Sequence, residues 1–262
     1  MLFRSREILS PSEIQNILNF SLNSGVGWLD TAQSYGDTET QLGKFGKEFK
    51  IATKFEFKNK NYTQINALVE KSLMQLKVDK LELLFIHDWD KLTKSEKQNC
   101  ELFCSSLITN KMVLDIGVST YEFNDLHRLL QNGFFIQVCS NALDQRLIEV
   151  SDGLTKYLNE RIWIRSIFLQ GLLLTQHTKS KLLNHECTVR FFNYANLLEI
   201  SPFKLALNYF LHNFSNGFKL ILGVHSINEL ELNLATENIK FFIDWESLKC
   251  NHIDVIDPRL WI

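Results

Sequence analysis

Short apolar runs alternate with longer amphipathic stretches along most of the chain. Apolar runs bounded by polar residues predict buried strands, and apolar positions at helical spacing predict helices. The strands are predicted at residues 26–31, 50–54, 82–87, 114–119, 135–140, 162–168 and 220–224. The helices are predicted at residues 12–23, 62–76, 95–110, 122–131, 147–159, 188–198 and 202–214. This strand-then-helix order is typical of repeated βα units with a parallel sheet.

The chain shows no interior boundary between domains. Its 262 residues include only three prolines, and no Gly/Ser-rich linker interrupts the alternation. We therefore expect residues 1–262 to form a single domain. Even βα spacing favours a closed (β/α)8 barrel over an open doubly wound sheet, although periodicity alone leaves both possible. The lack of a GxGxxG sequence after an early strand argues against the open dinucleotide-binding sheet.

Composition and charge narrow the class of protein. Apolar residues make up 45% of the chain and the net charge is −2, so neither a nucleic-acid partner nor a membrane surface is expected. The start of the chain turns polar at once, and the five cysteines are odd in number without a CxxC pair. These features predict free thiols, a cytoplasmic protein and no metal. Five histidines without partners at ligand spacing fit that view: His127, His177, His185, His212 and His252.

Four polar residues end or follow the apolar runs, where a parallel barrel places its active site. Asp30 ends VGWLD, Tyr35 follows in DTAQSYG, Lys54 ends KIATK and His87 ends LELLFIH. Each alone has an ordinary explanation as a cap, a rim residue, a solvated charge or a hydrogen-bonded core histidine. Together they predict a proton donor, because an ammonium beside a phenol stabilises the phenolate and lowers a pKa of about 10.

The motif DTAQSYGDTETQLGKF resembles the signature of the aldo/keto reductase family. Later segments agree in order, namely IATK, LLFIH, DIGVST, IQVCSNALDQR, RSIFLQGLL and LILGVHSINELELN. The resemblance implies reduction of an aldehyde or ketone to an alcohol with a nicotinamide cofactor. It assigns the proton donor to Tyr35, its activating partners to Lys54 and Asp30, and orientation of the carbonyl to His87.

The resemblance also implies a set of cofactor contacts. Ser119 and Thr120 stand at the family's Ser-Asn pair, which binds the nicotinamide carboxamide, and Gln137 is a further contact there. Thr120 departs from the usual asparagine but keeps a hydrogen-bonding group. The diphosphate would meet a hydroxyl and backbone amides after the seventh family strand, at Ser166, Phe168, Leu169 and Gly171.

The adenosine end of the cofactor is expected at LGVHSINELELN, with contacts from Gly223, His225, Ser226, Glu229 and Asn233. Ser226 can cap a helix whose amino end faces the phosphate. Family members commonly carry Arg or Lys where this chain has His225, and a neutral imidazole is a poorer partner for a 2′-phosphate. Glu229 near the ribose would favour a free 2′-hydroxyl. Both NADP(H) and NAD(H) therefore stay open as cofactors.

Because the sequence departs from the family pattern, an alternative function remains open. The family begins with a strand and a Gly-Thr loop, and that unit is not visible here, so the first βα unit is expected to be truncated. A nucleotide-binding sensor, a regulatory subunit or a non-catalytic copy of the fold is the alternative to an active enzyme. RSIFLQGLL and the DPRxW ending resemble members linked to bacterial surface-sugar biosynthesis, which suggests a sugar carbonyl as substrate. The oligomeric state is left open.

Overall fold

The computed structural model describes residues 9–45, 48–151, 154, 161–174, 181–214, 218–240 and 242–261. Its strands are β1 (Trp28–Asp30), β2 (Lys50–Phe55), β3 (Leu81–Ile86), β4 (Val113–Thr120), β5 (Phe135–Cys139), β6 (Ile162–Arg165) and β7 (Phe218–Leu220). Its α-helices are α1 (Pro11–Asn23), α2 (Thr38–Phe45), α3 (Tyr62–Leu76), α4 (Lys94–Thr109), α5 (Leu126–Gln131), α6 (Arg146–Ser151), α7 (Glu186–Leu197), α8 (Pro202–Asn213), α9 (Ile227–Leu234) and α10 (Ile253–Ile256). Within the described ranges, no helix is both long and apolar enough to cross a membrane.

The strands form one parallel sheet in chain order, from β1 to β7. The sheet curls, because side chains of β1 meet those of β5 and β6 across its concave side. The rings of Trp28 and Trp163 lie 5.0 Å apart edge to face, and Gln137 Nε2 donates to Asp30 Oδ1 over 2.8 Å. On the outside, α1 packs against α9, the helix that follows β7. The carboxyl ends of all seven strands therefore surround one mouth.

Local sequence explains where the main helices begin. Ser10 caps α1 by accepting from the amide of Glu13, and the Glu13 carboxylate accepts from the Ser10 amide in return. The same reciprocal capping box joins Asn61 to Gln64 at the start of α3. Each box satisfies amides that the first helical turn leaves without intrahelical partners.

The apolar residues divide into two clusters with different roles. The larger cluster fills the space between the sheet and the helices and includes Ile17, Leu84 and Phe191. The smaller one lines the concave side of the sheet, and Trp28 and Phe135 pack against it. Its buried members are Ala52, Leu83, Phe85, Trp163 and Ile221. Large side chains thus plug the sheet below the mouth, as in a packed barrel interior.

Two glycines allow close approach that a side chain would block. A Cβ on Gly117 in β4 would lie 2.5 Å from the ring of Phe85, so this glycine makes room for the interior plug. A Cβ on Gly43 in α2 would lie 2.0 Å from the carbonyl oxygen of Gln75, where α2 crosses the end of α3. Both positions therefore require glycine for packing.

The parallel α/β architecture predicted from the sequence is confirmed, with differences at several boundaries. The strand predicted at 162–168 ends at Arg165, and the one predicted at 220–224 lies at Phe218–Leu220. Helix α2 was not predicted. Most of the second half of the helix predicted at 147–159 lies outside the described residues, as do residues 1–8. A complete eight-stranded ring with a truncated first unit therefore stays a prediction.

Candidate active site

The mouth of the sheet holds a buried ion pair between the ends of β1 and β2. Lys54 Nζ lies 2.5 Å from Asp30 Oδ2 and donates a second hydrogen bond to the carbonyl of Thr31 over 2.8 Å. Both charged residues are only 1% exposed. Register explains the pairing, because β1 and β2 run parallel and Asp30 lies beside Ala52, two residues before Lys54. The sequence therefore places the two charges at the same edge of the sheet.

Tyr35 lies in the turn between β1 and α2, over the ion pair. The centre of its ring is 5.5 Å from Lys54 Nζ and 6.2 Å from the centre of the His87 ring. The turn is held by the Tyr35 amide, which donates to the Ala32 carbonyl over 3.0 Å. Gly36 follows with φ of +64°, a conformation that glycine adopts without strain. All four residues predicted as the proton-donor group therefore lie together.

His87 follows β3 at the same edge and is neutral at physiological pH. Burial and the positive charge of Lys54 lower the pKa of His87 to about 4, and Arg165 contributes in the same direction. Burial also lowers the pKa of Lys54, while the carboxylate of Asp30 opposes that effect. A neutral imidazole can both donate and accept a hydrogen bond, which suits it to hold a carbonyl oxygen.

Two of the predicted carboxamide contacts belong to the network around Asp30. Gln137 is fully buried and uses its amide group to bind Asp30, and Ser119 Oγ lies 3.5 Å from Gln137 Oε1. Thr120 does not join them. Its hydroxyl donates to the carboxylate of Asp90, which also accepts the amide of Tyr121 over 2.8 Å.

The segment after β6, predicted to meet the diphosphate, is a compact turn. Positive φ angles recur at Ser166, Leu169, Gln170 and Gly171. The amide of Leu169 donates to the Ser166 carbonyl over 2.8 Å, and that of Gly171 donates to the Phe168 carbonyl over 2.9 Å. An anion that used these two amides would have to replace both bonds. The Phe168 ring is stacked on Phe203, with 5.4 Å between centres.

The predicted adenosine end lies at the start of α9. Ser226 caps the helix by accepting from the Glu229 amide over 3.1 Å. The Glu229 carboxylate accepts from the His225 amide over 2.7 Å and lies 3.5 Å from His225 Nδ1. Asn233 donates to the Glu229 carbonyl, but its own side-chain oxygen is buried and has no protein partner within the described ranges. Gly223 lies shortly before this group.

A second polar group beside the mouth was not predicted. Arg165, the last residue of β6, has its guanidinium carbon 4.2 Å from the centre of the Tyr121 ring, and that of Arg259 is 4.0 Å from the same centre. Arg259 also binds Asp257 and Asp90, with nitrogen to oxygen distances of 2.6 and 3.0 Å. The only signal in the sequence was one cation within the otherwise apolar IWIRSIF.

One group of metal-ligand residues is found in the described part of the chain. One ring nitrogen of His185 and the sulfurs of Cys187 and Cys250 all lie within 4.8 Å of one another. The expectation that His185 has no partner at ligand spacing is therefore wrong, because the fold joins segments that are distant in sequence. All five cysteines are buried free thiols, as expected.

The fold and the polar cluster define an α/β protein whose chemistry lies at the carboxyl edge of a parallel sheet, where barrel enzymes carry their active sites. A sequence profile of the Aldo/keto reductase family matches residues 1–246. The chain belongs to this family of oxidoreductases.

Individual relatives are distant. Norsolorinic acid reductase A from Aspergillus parasiticus is 29% identical over 126 residues, which cover 40% of this chain and 32% of that protein. The match thus spans about a third of the relative's length. Among solved structures, aldo-keto reductase AKR11C1 from Bacillus halodurans in its holo form superposes with a TM-score of 0.70 at 20% identity, covering 92% of this chain and 87% of that one. An aldo-keto reductase from Klebsiella pneumoniae in complex with NADPH gives 0.72 at 16% identity, covering 94% and 89%.

Proposed function

We propose that this protein reduces an aldehyde or ketone to an alcohol, with Tyr35 as the proton donor. The observation that carries the proposal is the position of the Tyr35 ring beside both the buried Lys54–Asp30 pair and the ring of His87. A carbonyl oxygen placed between the phenol and the imidazole would meet a proton donor and an orienting group at once. The reverse oxidation of the alcohol uses the same groups.

The ion pair keeps a positive charge next to the phenol. A Lys54 without Asp30 would be a buried cation without compensation, and it would tend to lose its proton. With Asp30 at 2.5 Å, the ammonium is held in the charged form and in one position. The charge stabilises the phenolate that Tyr35 becomes when its proton moves to the substrate oxygen. Gln137 holds the other oxygen of Asp30 and so fixes the orientation of the carboxylate.

His87 positions the carbonyl and does not act as the acid. Its pKa of about 4 leaves it unprotonated near pH 7, so the imidazole can donate a neutral hydrogen bond only. That bond polarises the carbonyl and fixes its distance from the Tyr35 hydroxyl. In this proposal His87 orients the carbonyl, and Tyr35 transfers the proton.

Asn233 supports the binding of a nicotinamide dinucleotide. The buried side-chain oxygen of Asn233 lacks a protein partner and can accept a hydrogen bond from a base amine. Ser119 would meet the carboxamide, whereas Gln137 and Thr120 would join it only by exchanging their bonds to Asp30 and Asp90. The diphosphate would likewise have to replace the amide bonds of the turn at Ser166. Hydride is the chemistry that the reduced cofactor supplies when bound.

We propose NADP(H) as the cofactor, supported by the NADPH complex of the Klebsiella pneumoniae relative. The chain's own residues do not add to this support, because His225 is adjacent to the Glu229 carboxylate and supplies no permanent cation for a 2′-phosphate. Replacing His225 with Arg should strengthen binding of NADPH relative to NADH by roughly tenfold through a charge-assisted pair. Fluorescence titration of both cofactors measures this ratio, and an unchanged ratio would place the adenosine end elsewhere.

A sugar carbonyl is the substrate class that the sequence suggests. The DPRxW ending supports it, since Asp257 and Arg259 lie at the mouth beside Tyr121 and offer polar groups to hydroxyl-rich ligands. Turnover of a panel of aldoses and nucleotide sugars, set against simple aldehydes, tests this. Equal kcat/KM on both sets would rule out a preference for sugars but would leave the proposed carbonyl reduction intact.

The decisive experiment replaces Tyr35 with Phe. General acid catalysis contributes roughly 100- to 10,000-fold, so kcat for NADPH-dependent carbonyl reduction should fall by that factor while the Kd for NADPH stays within about twofold. Tyr62→Phe is the matched control, because that exposed tyrosine donates only to the Asn99 carbonyl on α4. An equally active Tyr35→Phe variant would refute the mechanism. Cofactor binding without turnover of any carbonyl by the unaltered protein would favour a sensor.

A further inference from the structure

Arg165 brings a cation to the mouth of the sheet that the proposed proton transfer does not use. It ends β6 beside Cys139 of β5, so its side chain starts at the same edge as Lys54 and His87. Its positive charge acts on His87, since it is one of the causes that lower the pKa of that histidine. The guanidinium is held over the Tyr121 ring at 4.2 Å.

Arg165 differs from the neighbouring arginines because it lacks a carboxylate. Arg146 pairs with Asp144 at 2.7 Å and Arg259 pairs with Asp257 at 2.6 Å. Arg165 forms no ion pair with any carboxylate of the described residues, and its Nε is buried without a hydrogen-bond partner. Arg165 as a whole is half-buried, and a cation partly withdrawn from water is stabilised by a nearby anion. No carboxylate of the described residues compensates this cation, which leaves it available to an anionic ligand.

We infer that Arg165 binds an anionic group of the carbonyl substrate, a carboxylate or a phosphate. This inference rests on the proposed function, which places the carbonyl between Tyr35 and His87. A planar guanidinium offers paired donors that match the two oxygens of such a group. The stacking on Tyr121 fixes the plane of the guanidinium before the substrate arrives, so little side-chain freedom is lost on binding. The preferred substrates are then acidic aldehydes or ketones, including uronic acids and sugar phosphates.

Paired probes that differ in charge test this. Succinic semialdehyde is compared with butanal, and glyceraldehyde 3-phosphate with glyceraldehyde. The unaltered enzyme should prefer the anionic member of at least one pair by roughly 10- to 100-fold in kcat/KM. Arg165→Met should abolish the preference mainly through KM, lowering kcat/KM for the anionic member of a pair far more than for its neutral partner. Arg165→Lys should keep part of it, and Arg128→Met, which removes a surface arginine of α5, should keep all of it.

Each other outcome is informative. No charge preference in the active enzyme, or one that survives Arg165→Met, overturns the inference. If Arg165→Met instead weakens NADPH binding and slows anionic and neutral substrates alike, the bound anion is the cofactor diphosphate and the substrate assignment is wrong. If no carbonyl is reduced at all, the proposed function fails. The anion site is then tested alone, because succinate or phosphate should raise the melting temperature of the unaltered protein but not of Arg165→Met.

A different observation carries a second inference, outside the mouth. His185 and Cys187 lie at the start of α7, while Cys250 and His252 lie in the segment before α10. The two segments thus form a His-x-Cys and Cys-x-His pair. The fold brings three of the four ligand atoms within 4.8 Å of one another, and the His252 ring lies 4.8 Å from the His185 ring, between centres.

The geometry points to a structural zinc site formed by Cys187, Cys250, His185 and His252. Zinc favours four such ligands in a closed tetrahedral shell. Three ligand atoms already lie within 4.8 Å of one another, and the ring of His252 would have to turn toward them to complete the shell. Both sulfurs are buried and His185 is partly buried, which shields a bound ion from water. Arg190 supplies an outer donor, with its guanidinium 3.7 Å from Cys187 Sγ. The ion would fasten the carboxyl-terminal segment to α7.

Metal content tests the zinc site independently of any enzyme activity. Native mass spectrometry of the isolated protein should show about one zinc per chain. Cys187→Ser with Cys250→Ser should lose it, while Cys100→Ser with Cys104→Ser, another buried pair on α4, should keep it. Cobalt added to the metal-free protein should give thiolate charge-transfer absorption and a raised melting temperature. Absence of binding by both ions, or a disulfide between Cys187 and Cys250 in freshly isolated protein, overturns the inference.

Discussion

Two cations lie at the mouth of the same sheet, and the protein treats them differently. Lys54 is enclosed by its own chain, with a carboxylate at 2.5 Å and a backbone carbonyl at 2.8 Å. Arg165 has an aromatic ring beneath it and a buried Nε without a partner. The first cation is neutralised by the protein itself, and the second pairs with no carboxylate in the described part of the chain.

The difference separates the parts of the site that catalyse from the parts that select. A charge that must act on every substrate is best held by the protein, because its position and protonation then do not depend on the ligand. A charge left without a carboxylate contributes free energy only when an anion binds, so it discriminates between ligands. Under the proposed function, the Lys54 side of the mouth would act on every substrate, and the Arg165 side would select among substrates.

The largest expected effect on stability comes from breaking the buried ion pair between Lys54 and Asp30. Lys54→Met leaves the Asp30 carboxylate buried without its cation, and such a loss costs about 3–5 kcal/mol in the free energy of unfolding. Adding Asp30→Asn to the same chain should restore much of that stability but none of the turnover. Denaturant unfolding of the two variants measures the difference. A Lys54→Met protein as stable as the unaltered one would show that the pair is not internally compensated.

A smaller effect is expected from His87 as a function of pH. The folded pKa of about 4 lies below the unfolded value of about 6.5, so the unfolded chain takes up a proton first as the pH falls. The contribution to stability is fully present above pH 6.5 and is lost between about 6.5 and 4. After allowance for partial exposure it is on the order of 2 kcal/mol.

Unfolding at pH 7 and pH 4.5 checks this dependence on the unaltered protein and on His87→Gln. The variant should lose less stability than the unaltered protein on acidification, by the amount stated above. Equal losses in His87→Gln and the unaltered protein would mean that His87 does not titrate in this way.

The smallest effect is expected at Arg165. Arg165→Met removes a cation that has no carboxylate and keeps most of the apolar stem, so the free energy of unfolding should change by less than about 1 kcal/mol. Chemical denaturation at low ionic strength, without added anions, measures it. A loss as large as that of Lys54→Met would show that the chain does compensate Arg165, and the contrast between the two cations would disappear.

Local signals account for the elements that the sequence predicted well. The helix predicted at 62–76 matches Tyr62–Leu76, because its capping box and its apolar spacing lie within one short window. Helix α2 was missed because it is short and turns a glutamate inward. Glu39 is 2% exposed and accepts hydrogen bonds from Thr53 and Ser72, partners that no window around α2 contains.

The same distinction holds in the site. Asp30, Lys54 and His87 could be proposed because each ends an apolar run, and parallel strands bring their ends together. Arg165 was hidden because the apolar run continues past it to Phe168, although the strand stops at the arginine. Cys187 and Cys250 could not be joined from sequence, because only the fold places the last segment of the chain beside α7.

The order of the strands links synthesis to the appearance of the site. Each strand pairs with the strand that follows it in the chain, so a polypeptide emerging amino end first can add every new strand to an edge already formed. The contact between Asp30 and Gln137 is different, because it spans 107 residues and crosses the sheet. A nascent chain that stops before β5 would hold the lysine and its aspartate without the amide that orients them. The proposed site is therefore completed only after β5 has been made, even though its first charged residues are made early.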